Sequence, residues 1–322
     1  MRFSALLFST FLILCNCGFT ALSWSRYYDL ELRQTYWIDG YEGEEKLGLS
    51  GLTNDGTKLY TVSDVQGYSK IFEVRLQDKK AVLAPVMDLE GQWLESYEKK
   101  YAGEGRIDLE GIAFCQGAFY LADERKRKVL MVRDEQLKEI DPRFGQFHSK
   151  KDKMNPFSGV INAGLEAIAC DSSSSLLYIF NERMFRMGYS YSLQSSELIN
   201  QFDVPAGFNS PRFRDGFWVY PDFAGADFHQ GRLYILERND YAVVELDPKD
   251  LKILRRFSYV NSSKGLYQSP DIFGMAEGIT IMDGKLFLIL DNNEFERSDK
   301  PGKFNPVLLE FSMPTDHNHR QH

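Results

Sequence analysis

Residues 108–125 read DLEGIAFCQGAFYLADER, and the rest of the chain is organised around that stretch. An acid opens the apolar run Glu110-Gly111-Ile112-Ala113-Phe114. Cys115 to Ala118 supplies a glycine-containing turn, and Phe119-Tyr120-Leu121-Ala122 forms a second run ending in Asp123-Glu124-Arg125. Two short apolar runs separated by a few turn residues predict a β-hairpin. In a hairpin the start of the first strand lies beside the end of the second. Glu110 and the Asp123-Glu124-Arg125 cluster are therefore expected to meet at one end, with the turn at the other.

The unit recurs four more times: LSGLTNDGTKLYTVSD around Ser50, GLEAIACDSSSSLLYIFNER around Glu166, DFAGADFHQGRLYILER around Ala224 and AEGITIMDGKLFLILDNN around Glu277. Equivalent positions 50, 110, 166, 224 and 277 lie 60, 56, 58 and 53 residues apart. A mostly-strand unit at this period predicts an all-β fold, a β-propeller of five or six blades around a central channel. The second strands carry an aligned aromatic at Tyr60, Tyr120, Tyr178, Tyr234 and Phe287, which is expected to pack between blades. Stacked repeats override the two domains that 322 residues would suggest at ~150 residues each, so residues 24–313 are read as a single propeller domain.

Residues 1–23 differ in kind: Arg2, the apolar stretch Ala5 to Leu14 and then small residues predict a secretory signal cleaved after Ser23, with Ala21 three residues before the cut. Leu14-Cys15-Asn16-Cys17 also resembles a lipoprotein signal, which would anchor the chain through Cys17. The apolar run is too short for the ~20 residues of a membrane span. The expected location is secreted or periplasmic. Losing Arg2 takes the net charge from −8 to near −9, a poor match to nucleic acid or an anionic membrane. A monomer is expected. Cys115 and Cys170 then remain at similar places in repeats two and three, either as an inter-blade disulfide or as two buried thiols.

Outside the repeats, Tyr27 to Asp39 alternates apolar and polar residues like a strand, and is expected to complete the last blade beside Val307 to Ser312. Leu89 to Arg106 contains a short helix ending near Gly103, residues 148–159 form a charged loop, and Asp203 to Asp222 is too irregular for strand. Such inserts, upstream of each repeat's opening acid, are expected to build the binding face. The tail 314–322, PTDHNHRQH, is expected to be disordered.

Chemistry concentrates where the repeats open. If the first strands line the channel, Ser50, Glu110, Glu166 and Glu277 converge on its axis, while the fourth repeat offers Ala224. Three carboxylates in low dielectric repel, so either a proton or a cation must join them. Calcium suits an oxygen-rich, flexible ligand set; otherwise the glutamates cap strand N–H groups. Around them lie Asp123-Glu124-Arg125, Glu182-Arg183 and Glu237-Arg238. Arg125, Arg183 and Arg238, with Glu182 and Glu237, could seat a small anionic or phosphorylated ligand, or satisfy one another as a salt-bridge ring. Outside the tail only His148 and His229 occur, which excludes a His-rich zinc site, and neither a GxSxG nor a Walker-type loop is present. Hydrolysis would therefore be carboxylate- or metal-assisted, with Glu110, Asp123 and Glu124 as candidate bases and calcium as cofactor.

The succession LGLSGL with VSD, DLEGIAF with ADER, GLEAIA with NER, LYILER, and AEGI with LILDNN resembles the phytase-like domain family, also called esterase-like activity of phytase, from about Leu47 to Phe311. That resemblance implies a secreted or periplasmic β-propeller, without fixing a reaction. The order Ser50, Glu110, Glu166, Ala224, Glu277 is also similar to the metal ring of calcium-dependent apyrases, from which Ala224 departs. Two functions are consistent with this: calcium-dependent hydrolysis of a phosphate ester or related ester, and a non-catalytic envelope scaffold with a structural calcium.

Overall fold

The computed structural model describes residues 27–65, 68–103, 106–134, 136–140, 164–182, 187–204, 212–214, 217–219, 222–270 and 273–313. The leader, Cys17, Arg183, the loop 148–159 and the tail fall outside them. Each repeat is an antiparallel meander whose first strand is innermost. The inner strands are Leu49–Asn54, Leu109–Cys115, Leu165–Asp171, Phe223–His229 and Ala276–Met282. Each pairs with the second strand of its own hairpin, and further strands follow outward. Five buried apolar clusters join the units in a cycle: the first to the second, onward to the fifth, and the fifth back to the first. The aromatic column lies in these seams, with Tyr60, Tyr120, Tyr178, Tyr234 and Phe287 all buried. This is a β-propeller arrangement with an inner ring of strands.

The N-terminal segment laces the outer rim. Tyr27–Asp29 runs parallel to Ile253–Ser258, the outer strand of the fourth unit. Leu32–Asp39 then pairs antiparallel with Val307–Ser312, completing the fifth unit, and its end pairs parallel with Lys80–Asp88 of the first. The expected closure by the N-terminal strand is therefore present, and it ties three units together.

Two inserts differ in outcome. The helix Gln92–Lys100 forms as expected, with Tyr97 buried against the seam between the first two units. The segment read as irregular contains a small hairpin, Arg212–Arg214 with Phe217–Val219. The aromatic residues of the two triplets favour strand and outweigh the proline and glycine content of the segment.

Cys115 and Cys170 form a disulfide between the second and third units, with Cα atoms 5.8 Å apart. It lies at the turn end of the ring, beside a cavity of about 350 Å³ that includes Cys170 and His229. Among the described residues no helix is long and apolar enough to cross a membrane.

Candidate functional site

One irregularity repeated in all five inner hairpins aims the site. The register between first and second strands shifts between Ser50 and Leu52, Leu109 and Gly111, Leu165 and Ala167, Phe223 and Gly225, and Ala276 and Gly278. These are β-bulges, which bend a strand and re-aim a side chain. The residues at or beside the shifts are the predicted ring: Ser50, Glu110, Glu166, Ala224 and Glu277. Just beyond each bulge the inner strands approach closely. A Cβ on Gly111 would sit 2.5 Å from Glu166 O, and one on Gly278 would sit 2.5 Å from the Gly51 carbonyl carbon. Leu52, Ile112, Ile168 and Ile279, at most 2% exposed, form the next layer and separate the acid end from the turn-end cavity.

The acid end holds a cavity of about 550 Å³. Its wall carries nine carboxylates, from Asp64, Asp108, Glu110, Glu124, Glu166, Glu182, Asp222, Glu277 and Asp291, against the guanidinium groups of Arg125 and Arg238. Three equivalent positions contribute across the repeats, two or three of them from each. Besides the ring residue, the residue just before the first strand (Asp108, Asp222) and the residue just after the second strand's paired end (Asp64, Glu124, Glu182, Arg238, Asp291) face the cavity. Backbone bonds hold these pairs of positions together, such as Glu124 N to Asp108 O at 2.9 Å and Asp291 N to Met275 O at 3.0 Å.

Strand alternation explains which candidates are absent. Asp123 and Glu237 are the last paired residues of their second strands, opposite Leu109 and Phe223, and neither lines the cavity. Asp123 is fully buried, accepting from Tyr97 Oη at 2.9 Å and lying 3.6 Å from Lys126 Nζ. Burial pushes it up to about 6 against the pull of Lys126. Glu237 accepts from Arg256 Nη1 at 2.7 Å in an equally buried pair. Both acids serve the seams between units.

Arg238 is the centre of the charged floor. Its Nη2 donates to Glu182 Oε1 at 2.7 Å and to Asp222 Oδ2 at 2.8 Å, its Nε donates to Asp222 Oδ2 at 3.0 Å, and its Nη1 donates to Glu277 and lies 3.6 Å from Glu166. The one repeat without an oxygen at the ring position thus supplies the cation. Burial opposes that charge, but Asp222, Glu277, Glu166 and Glu182 outweigh it and Arg238 stays protonated. Arg125 is paired with Asp108 Oδ2 at 2.5 Å and remains 43% exposed at the mouth. Of the three arginines expected to seat a phosphate, Arg125 stands at the mouth and Arg238 is enclosed by acids, while Arg183 lies outside the described residues.

The carboxylates exceed what the two arginines can balance. Ser50 Oγ donates to Glu110 Oε2 at 2.8 Å, yet burial, followed by Asp64, Asp108, Glu277 and Glu124, holds Glu110 well above the usual range. Glu166 is raised by burial and by Glu110 and Glu182, with Arg238 opposing. Glu277 is pushed up to about 8, chiefly by burial and despite Arg238. Asp64, which water still reaches, is pushed up to about 7 by partial burial and by Asp291 and Asp108. Either protons or a cation must occupy such a floor. Oxygen atoms of Asp108, Glu110 and Glu124 lie within 4.8 Å of one another, as do those of Glu124, Glu166 and Glu182. These two groups share Glu124 and fit a hard cation with oxygen ligands. The fit lies nearer the second and third units than the Ser50, Glu110, Glu166, Glu277 ring expected from spacing.

With this geometry in hand, the sequence matches the family described as Phytase-like: Esterase-like activity of phytase over residues 47–296. The chain belongs to the phytase-like family. No curated protein matches it. Among solved structures, this phytase-like chain is similar to the glutaminyl cyclase of Myxococcus xanthus, with 13% identity, 88% of this chain and 96% of that one covered, and a TM-score of 0.54. A PQQ-bound aldose sugar dehydrogenase from Streptomyces coelicolor aligns at 12% identity over 88% of this chain and 98% of its own, with a TM-score of 0.46. At 13% identity the likeness to the glutaminyl cyclase shows the β-propeller fold alone.

Proposed function

We propose that this phytase-like protein is a secreted or periplasmic, monomeric, calcium-dependent hydrolase acting on a small phosphate ester or related ester at the acid end of the ring. The observation that carries this reading is the imbalance of nine carboxylates against two guanidinium groups in one cavity. Asp108, Glu110, Glu124, Glu166 and Glu182 are the residues that would hold calcium. When bound, the ion would neutralise these acids and polarise a phosphoryl or carbonyl oxygen. Glu110, ionised once that charge is balanced and oriented by Ser50, takes a proton from the attacking water. The water oxygen bonds to phosphorus as the P–O ester bond breaks, or to the acyl carbon as its C–O ester bond breaks. Glu277, which burial pushes up to about 8 despite Arg238, donates a proton to the leaving oxygen. Arg125, half-exposed at the mouth, meets the anionic part of the ligand. The disulfide supports an oxidising compartment.

A second reading, a non-catalytic envelope scaffold, has its own observation: Arg238 bridges four carboxylates from three units as a structural ion-pair cluster. The two separate in one experiment. Purified mature protein is assayed on p-nitrophenyl phosphate, p-nitrophenyl acetate and a nucleotide, with calcium or with chelator. Turnover that requires calcium and is lost in Glu110→Gln supports the hydrolase. Calcium-dependent melting with no turnover on any substrate favours the scaffold.

A further inference from the structure

The acid cavity is lopsided. Its ion-binding groups belong to the second and third units, whereas Pro270, Phe273, Met275 and Phe295, on segments flanking the fifth unit's hairpin, form an apolar shelf on the same cavity. In the cyclic order of units the fifth stands across from the second and third. Phe273 is 49% exposed, and among the described residues no other aromatic side chain is exposed rather than buried or half-buried.

The shelf is pinned to the charged floor. Tyr241 Oη donates to Phe273 O at 3.0 Å, and Gly274 N donates to Asn239 Oδ1 at 3.1 Å. Asn239 N in turn donates to Asp222 Oδ1 at 3.1 Å, the same carboxylate that holds Arg238. The approach at Gly274 is so close that a Cβ there would sit 2.1 Å from Arg238 O. On the other side, Asn293 and Glu294 both adopt left-handed backbone, at φ 45° and 63°, in the turn that brings Phe295 to the cavity. A left-handed conformation is strained for glutamate, and strain of this kind concentrates at ligand sites.

The geometry points to an amphiphilic substrate: a monoester whose reacting group lies on the acid floor and whose other part is a ring-sized apolar group resting on Phe273 and Phe295. This rests on the hydrolase reading above. A polyphosphorylated polyol, charged on every side, would leave the shelf unused and is disfavoured. Phe273 and Phe295 are then specificity-determining residues.

The test compares 2-(1-naphthyl)ethyl phosphate with ethyl phosphate, whose alkoxide leaving groups are alike, on the calcium-loaded protein, alongside calorimetric binding of 1-naphthyl and methyl phosphonate, which cannot turn over. We expect kcat/KM and affinity each to favour the naphthyl compound roughly tenfold. That ratio should fall to about twofold in Phe273→Ala and in Phe295→Ala, and remain intermediate in Phe273→Leu, which keeps apolar bulk. Equal ratios in the wild type, a naphthyl preference that survives both alanine variants, or no phosphonate binding would overturn the shelf. If phosphonates bind with the expected preference but no ester is turned over, the shelf stands and the hydrolase reading fails.

Discussion

Arg238 of the fourth repeat donates from Nη2 to Glu182 Oε1 of the third across 2.7 Å, so two neighbouring units are tied at the floor of the cavity by a charge pair. The same guanidinium reaches Asp222 and Glu277, which makes it a keystone for three successive repeats. Removing one partner from a buried ionic cluster leaves uncompensated charge, at a cost of about 3–5 kcal/mol. Arg238→Met should lower the urea midpoint by that equivalent in chelator, and calcium should restore part of it. A loss below about 1 kcal/mol would show that the acids are already neutralised by protons.

Stability should also depend on pH. Glu277 is held at about 8, above its unfolded value, so the folded state binds the extra proton and its contribution is complete below the unfolded value near 4.5. That contribution is lost as pH rises through about 8. In chelator, unfolding free energy should therefore fall between pH 6 and pH 8.5, by on the order of 1 kcal/mol per pH unit. Urea titrations at the two pH values check the sign, and Glu277→Gln should flatten the slope.

Glu124 belongs to both candidate ion groups, whereas Glu277 belongs to neither. Calorimetric titration with calcium should show Glu124→Gln weakening binding at least tenfold, with Glu277→Gln changing it much less. Equal effects of the two variants would move the ion back toward the Ser50, Glu110, Glu166, Glu277 ring.

The Cys115–Cys170 disulfide closes a loop with a sequence separation of 55 residues. Chain-entropy arguments assign such a link about 4 kcal/mol. Reduction, or Cys115→Ser with Cys170→Ser, should lower the melting temperature while leaving calcium affinity intact, because the link sits at the opposite end of the ring from the acids. A thiol assay on the unfolded, unreduced mature chain should detect no free cysteine.

Gly111→Ala should be among the most disruptive small substitutions. Its added methyl would meet Glu166 O at 2.5 Å, between the inner strands of two units. Overpacking at backbone contact costs about 1–3 kcal/mol, and the shift of Glu166 should weaken calcium binding in parallel. A variant with unchanged melting and unchanged affinity would refute the tight inner ring.

Much of this was legible before any coordinates, because a repeat writes its geometry several times. The hairpins, the aromatic column and the closing strand follow from spacing and alternation. What did not follow was phase at the end of the second strand. Asp123-Glu124-Arg125 reads as one cluster, yet only Glu124 and Arg125 reach the cavity, because Asp123 is still paired with Leu109 and points into the seam. The same single-residue step separates Glu237 from Arg238. Asp108 and Asp222 each stand two positions ahead of a ring residue, in DLE and DFA, but with no acid at that place in the other three repeats the spacing does not single them out. Arg238 as the resident cation was hidden for a simpler reason: its four acidic neighbours come from three repeats, and only the folded ring brings them together.

The lacing of the N-terminal strand has a consequence for how the protein is made. Leu32–Asp39 finds its antiparallel partner only in Val307–Ser312, at the far end of the described chain. During synthesis the early units can form hairpins, but the ring stays open until Val307–Ser312 has left the ribosome. Such distant pairing is slow and leaves unpaired edges exposed meanwhile. The molecule is thus a bracelet whose clasp joins two strands made at very different times, and a chain stopped before Val307 should be captured by chaperones rather than accumulate as a shorter folded form.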